Sequence, residues 1–223
     1  MRIATLGCGQ VARVLGGAWA DLGHEVFFGS RDPEKAWQVA REIGRGTRGG
    51  SNVDAAAFGE VILHTVRQVP SSFLPVTSVL AGKIIIDCTN RADVSELGES
   101  GWASPSLAEL VQADVPAARV VKALNHLPAD LFEHPPEVVQ RMNVAAPFCG
   151  DEHSAKLVVE ALLEQLGLRP VDCGRLTAAA MLEAHGTLVR TVAQASTGPV
   201  MTLSISELPA TAPRFGPRPM VVA

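Results

Sequence analysis

The sequence predicts a doubly wound α/β fold with a mainly parallel sheet, a Rossmann fold carrying a C-terminal helical segment. Three observations predict it. Short apolar runs alternate with stretches of helical spacing through residues 1–174, the rhythm of βαβ units. Several of those runs are continuously apolar, as strands covered on both faces must be. Hydrophobic residues make up 47% of the 223 positions against 19% charged, enough to bury a full core; aromatics are only 4%, so Val, Leu, Ile and Ala must build it.

In chain order, Arg2–Leu6 reads as a strand ending in glycines. Val11, Val14, Leu15, Ala18, Trp19 and Leu22 follow helical spacing, and Gly23 stops that helix. Glu25–Gly29 is the second strand. Asp32-Pro33 then supplies an N-cap and a first-turn proline for a helix to about Ile43. Gly44–Gly50 reads as a loop, followed by a short helix around Asp54–Phe58. Val61–Val66, Lys83–Asp87, Arg119–Leu124, Ala145–Gly150 and Leu168–Cys173 read as further strands. Pro105–Gln112 and Asp151–Leu166 read as helices. After Gly174 the character changes, and residues 175–223 form a separate segment. It holds one long Ala-rich helix, Leu176–Ser196, a break at Gly198-Pro199, and an extended proline-rich tail from Glu207.

A net charge of −4, with 15 Arg, 4 Lys and no basic block, argues against a nucleic-acid or anionic-membrane surface. The apolar runs are strand-sized, so no membrane span is expected. The N-terminus reaches a glycine before a signal-peptide core could form, and the four cysteines show no metal-ligand spacing. A cytoplasmic protein with reduced thiols and no metal is the expectation.

Gly7-Cys8-Gly9-Gln10-Val11-Ala12 is a G-x-G-x-x-A at a strand-to-helix junction. Gly7 allows the tight turn, Gly9 lets the backbone approach a pyrophosphate, and Gln10 and Val11 open the helix whose N-terminus binds the anion. The second strand indicates which dinucleotide. An NAD site places Asp or Glu there for the ribose 2′-hydroxyl; this chain has Gly29-Ser30-Arg31 instead. Ser30 can donate to a 2′-phosphate, Arg31 can pair with it, and Lys35 lies one turn further on. NADP(H) is the predicted cofactor, with Asp32 as the following helix's N-cap.

Those residues, with Asp87-Cys88-Thr89-Asn90, Val121-Lys122-Ala123-Leu124-Asn125, Cys149-Gly150-Asp151 and Leu182-Glu183, resemble the NADP oxidoreductases that depend on the deazaflavin coenzyme F420. Pyrroline-5-carboxylate reductases share this type of dinucleotide-binding domain, and the ferric reductase domains of certain membrane proteins belong to the same set. The resemblance covers roughly residues 1–200 and implies direct hydride transfer between NADPH and a second redox partner, a deazaflavin or flavin, stacked over the nicotinamide. It also implies a homodimer built on the C-terminal helix. By position, Thr65, Val66 and Arg67 would lie by the nicotinamide ribose, and Asn90 and Asn125 would line the nicotinamide pocket. The chain departs from the deazaflavin-using members along its last helix, where Ala180, Ala184 and Gly186 replace Arg, Ser and Thr. It departs again after the Ala-Leu pair, where Asn125 replaces a His and His126 follows one place later.

Hydride transfer needs proximity, orientation and a dry site; an acid is needed only if the acceptor gains a proton in the same step. His126 and His185 are the two proton-donor candidates. Set against that, His126 could pack under the Leu127-Pro128 turn and His185 could belong to a dimer interface. His64 reads as a core histidine and Asp87 as a group that orients Thr89 or Asn90. Two other functions stay open at this point: reduction of a small carbonyl, imine or quinone, with the alanines and Gly186 widening the pocket, and a non-enzymatic NADPH/NADP⁺ sensor.

Overall fold

A computed structural model describes residues 1–74, 77–91 and 105–195. Eight strands form one sheet: β1 (Arg2–Leu6), β2 (Glu25–Ser30), β3 (Arg48–Ser51), β4 (Val61–His64), β5 (Ile84–Asp87), β6 (Arg119–Lys122), β7 (Ala145–Gly150) and β8 (Arg169–Asp172). Their order is β3-β2-β1-β4-β5-β6-β7-β8, and every pairing is parallel except β6 with β7. The chain winds outward from β1 to β3, crosses back to β4 and winds the other way. The reversal leaves a crevice beyond the C-terminal ends of β1 and β4, where such sheets bind ligands.

Seven helices cover the two faces: α1 (Gln10–Asp21), α2 (Pro33–Ile43), α3 (Asn52–Phe58), α4 (Leu107–Asp114), α5 (Pro136–Met142), α6 (His153–Gln165) and α7 (Ala179–Ala195). Successive residues of β1 show the division. Ile3 belongs to an apolar cluster with Leu15 and Trp19 of α1, Val39 of α2, Val139 of α5 and Val159 and Leu162 of α6. Ala4 belongs to the opposite cluster, with Ala55 of α3, Val111 of α4 and Leu182 of α7. Trp19, Phe28 and Phe148 are fully buried, each contributing about 1.5–3 kcal/mol by leaving water.

Local chemistry sets the helix starts. Asp32 caps α2 by accepting from the Glu34 and Lys35 amides, at 3.1 and 3.5 Å. Ser51 with Asp54, and Ser106 with Glu109, form capping boxes at α3 and α4.

The Gly44–Gly50 segment, expected to be a loop, contributes most of edge strand β3. Its glycines are there for packing. A Cβ on Gly49 would stand 2.3 Å from the Ala36 carbonyl oxygen of α2, and one on Gly50 would meet the Phe27 ring at 2.9 Å. The third helix begins at Asn52, earlier than Asp54, because Asp54 is the returning half of the capping box. The short 3-10 turn Ala129–Glu133 and α5 have no counterpart in the sequence reading. A 3-10 turn, Leu176–Ala178, leads into the long C-terminal helix, which is described to Ala195. The Gly198-Pro199 break and the proline-rich tail lie outside the described residues. Among the described residues no helix is long and apolar enough to cross a membrane, and all four cysteines are free thiols.

Candidate active site

The first half of the site is the turn between β1 and α1. Gly7 sits at φ +102°, and a Cβ there would lie 2.5 Å from Thr65 Oγ1, so the turn and the β4 exit loop need that glycine. Thr65 Oγ1 donates to the Leu6 carbonyl at 2.8 Å and locks the two loops together. Gly9 has open space where its Cβ would be and caps α1 with no side-chain partner. The first-turn amides of α1 therefore face a clear approach, which fits a pyrophosphate. Val11 is exposed there; Gln10 reaches across to Asp130 at 3.3 Å and pins the 129–133 turn over the helix start.

At the end of β2 the predicted 2′-phosphate residues converge. Gly7, Cys8, Gly9, Ser30, Arg31, Lys35, Asn52, Val66 and Phe73 line one cleft. Arg31 and Lys35 are exposed and join no ion pair among the described residues. The nearby carboxylate, Asp32, is committed to its own helix. Ser30 Oγ accepts from the Asp32 amide at 3.1 Å, which leaves its proton free to donate. Two uncommitted cations and a free hydroxyl suit a phosphate dianion. Arg67, placed by resemblance near the nicotinamide ribose, is exposed after β4.

Asn52 escaped the sequence reading. It is 5% exposed, and its Oδ1 lacks a hydrogen-bond partner among the described residues. A buried orphan carbonyl lining this cleft fits a ligand hydroxyl or amine. Its place between a Gly-rich stretch and an Ala-rich helical run was the available signal.

The second half lies beyond β5 and β6. Asn90 Nδ2 donates to the Asn125 carbonyl, and Asn125 Nδ2 donates to Asn90 Oδ1 at 2.8 Å and to the Leu182 carbonyl of α7 at 2.7 Å. Both Asn125 N–H groups are thus used, while its Oδ1 is buried without a partner. That free acceptor fits the carboxamide N–H of a nicotinamide. Gly186 closes the pair from α7: a Cβ there would stand 2.6–2.8 Å from the two amides.

Beside the amide pair, the His126 and His185 rings stack with centroids 5.2 Å apart and an interplanar angle of 26°. The two predicted acids therefore form one aromatic unit. Burial, with the neighbouring His185, pushes His126 down to about 4, against a hydrogen bond from the ring to Ala145 that favours the charged form. Burial also lowers His185. His126 Nε2 lies 3.3 Å from the Ala145 carbonyl oxygen. A carbonyl only accepts, so Nε2 carries the proton and Nδ1 of the neutral ring is bare. That Nδ1 is buried and has no partner among the described residues.

Under this region runs a buried charge network. The Lys122 ammonium bonds to Asp87 Oδ2 at 3.2 Å, Glu183 Oε1 at 2.9 Å and the Thr89 carbonyl. Burial disfavours both charges, but the Lys122 ammonium, with His64 and Thr89, holds Asp87 well below the usual carboxylate range. Asp87 and Glu183 in turn hold Lys122 above the usual lysine range. As expected, His64 is a satisfied core histidine, bonded to Asp87 and the Gln68 carbonyl, and Asp87 orients Thr89 through its amide at 3.0 Å and its hydroxyl at 2.8 Å. Lys122 and Glu183 carried only resemblance in the sequence. A lysine closing an apolar strand and a glutamate in an apolar helix stripe were the available signals.

A family model for coenzyme F420-dependent NADP oxidoreductases matches residues 2–91. The chain is 30% identical over 202 residues to the F420-dependent NADP reductase of Methanothermobacter thermautotrophicus, covering 82% of this chain and 85% of that protein. It is also 30% identical over 184 residues to metalloreductase STEAP3 of Rattus norvegicus, covering 82% of this chain but 36% of the relative, so it spans about a third of that protein. Among solved structures, a candidate F420-dependent NADP reductase from Arthrobacter sp. FB24 matches with TM-score 0.79 and 29% identity, over 93% of this chain and 100% of that one. The chain belongs to the coenzyme F420-dependent NADP oxidoreductase family, whose members bind NADP(H).

Proposed function

We propose that the protein transfers a hydride between NADPH and a deazaflavin or flavin coenzyme, rather than to a carbonyl or imine. The state of His126 carries the choice. Reducing a carbonyl or imine needs a proton at the heteroatom as the hydride arrives. His126 offers none at Nδ1, its Nε2 proton is engaged with Ala145, and a ring held near pKa 4 is not a cationic acid at neutral pH. A deazaflavin takes the hydride on a ring carbon and can draw its proton from solvent, so the two electrons move without a proton from His126.

In this reading Gly7, Gly9 and the α1 amides hold the pyrophosphate, and Ser30, Arg31 and Lys35 the 2′-phosphate. Asn125 Oδ1 accepts from the carboxamide N–H. When bound there, NADPH supplies the hydride. His126 Nδ1 accepts a hydrogen bond from the second substrate, and a deazaflavin has a suitable ring N–H between two carbonyls. The stacked imidazoles and Gly186 help keep water from the reacting face. The exposed Met181 and Leu188 lie seven residues apart on α7 and give the proposed homodimer an apolar seam.

The test mixes NADPH, the protein and oxidised F420 and follows deazaflavin absorbance. Rapid bleaching is the expected result. Tight NADPH binding without bleaching would remove deazaflavin as the acceptor and leave the small-molecule reductase or the sensor.

A further inference from the structure

We infer that Lys122 is a positioning residue: by tying Glu183 of α7 to Asp87 and Thr89 beyond β5, it sets the helix register that places the Asn90–Asn125 amide pair. The inference rests on the proposal that this pair borders the nicotinamide, and it concerns what holds the pair in place.

The connections are continuous. Lys122 is 0% exposed, and its three ammonium protons are directed at Asp87, Glu183 and the Thr89 carbonyl. Glu183 is 1% exposed and also accepts from the Leu107 and Ala108 amides, at 3.0 and 3.2 Å, so the start of α4 joins the same knot. One residue before Glu183, the Leu182 carbonyl receives Asn125. Three residues after it, Gly186 meets both amides. The polar pair is therefore located by α7, and α7 is located by Glu183.

Stability alone does not account for a fully buried lysine. Replacing buried ion pairs by packed apolar groups is commonly neutral or stabilising, whereas leaving one partner uncompensated is costly. What the ion pair supplies is position. The inward face of α7 at Ala179 and Leu182 is apolar, while Glu183, bonded to one ammonium and two amides, fixes the register that the close fit of Gly186 on the amide pair requires.

The test compares Lys122→Met with the double variant Lys122→Met/Glu183→Gln. The double change removes one positive and one negative charge and keeps the cluster's net charge, and Asp87 retains its hydrogen bonds to Thr89 and His64. The readout is the ratio of dissociation constants for 2′,5′-ADP, which lacks the nicotinamide, and NADPH, together with the fluorescence of bound NADPH. In wild type, NADPH should bind at least tenfold more tightly than 2′,5′-ADP, with enhanced nicotinamide emission. In the double variant 2′,5′-ADP should bind within about twofold of wild type, while the NADPH advantage and the emission gain are lost. A retained NADPH advantage would overturn the inference. So would parallel loss of both ligands, the mark of a merely structural role. A wild type with no NADPH advantage would instead sink the parent reading of Asn90 and Asn125, and the inference with it.

Discussion

The two ends of the crevice are built on opposite principles. At the phosphate end, the candidate groups are backbone or reach solvent and come from short contiguous stretches; Ser30 keeps a free proton, and the α1 amides, Arg31 and Lys35 have no side-chain or ionic partner among the described residues. At the acceptor end, the groups are buried or half-buried, drawn from residues far apart in sequence, and tied to each other: Asn90 with Asn125, His126 with His185, Lys122 with Asp87 and Glu183. A charged ligand part is met by uncommitted charge in solvent. The proposed reacting ring would meet an end of the crevice where Asn125 Oδ1 and His126 Nδ1 are buried acceptors without a partner among the described residues.

The difference has a pH signature. His126 takes up a proton only near pH 4 in the folded protein but near 6.5 when unfolded. Between those values the unfolded chain binds more protons, so this contribution is fully present above pH 7 and is lost as the pH falls toward 4. The loss should be about 3 kcal/mol. Denaturant melts of wild type and His126→Phe at pH 7 and pH 4.5 measure it; the variant should show a pH dependence weaker by most of that amount. Equal slopes would mean the imidazole is not held neutral by burial.

The next effect is confined to the other end. Arg31→Ala should weaken NADPH binding by about 2 kcal/mol, some thirtyfold, and NADH binding by less than about threefold, since only NADPH carries the 2′-phosphate. Titration with each cofactor checks it. Equal losses would place the phosphate elsewhere.

How much of this was legible follows the same division. The G-x-G-x-x-A turn, Ser30, Arg31, Lys35 and the Asp32 cap could be read because each works through neighbours within a few residues, where spacing alone dictates geometry. So could the parallel sheet, since continuous apolar runs such as Ile84–Ile86 admit few alternatives. Strand β3 could not, because its glycines yield to the close approach of Ala36 and Phe27, contacts invisible in a Gly-rich run. Asn52, Lys122 and Glu183 were hidden for the same reason: their roles exist only once β5, β6, α3, α4 and α7 are packed. His126 and His185 were found, but as two separate acids. Their stacking and the contact of His126 Nε2 with the Ala145 carbonyl are tertiary facts, and on them rests the proposal that His126 acts as an acceptor.

That recasting is the central claim, and His126→Phe tests it most directly. Phenylalanine preserves the stack on His185 and removes both ring nitrogens. Steady-state reduction of F420 by NADPH should then show the KM for F420 raised by about three- to tenfold, as for a lost hydrogen bond, with kcat within about threefold of wild type. A kcat lower by a hundredfold or more, with NADPH binding intact, would make His126 the acid and contradict the account.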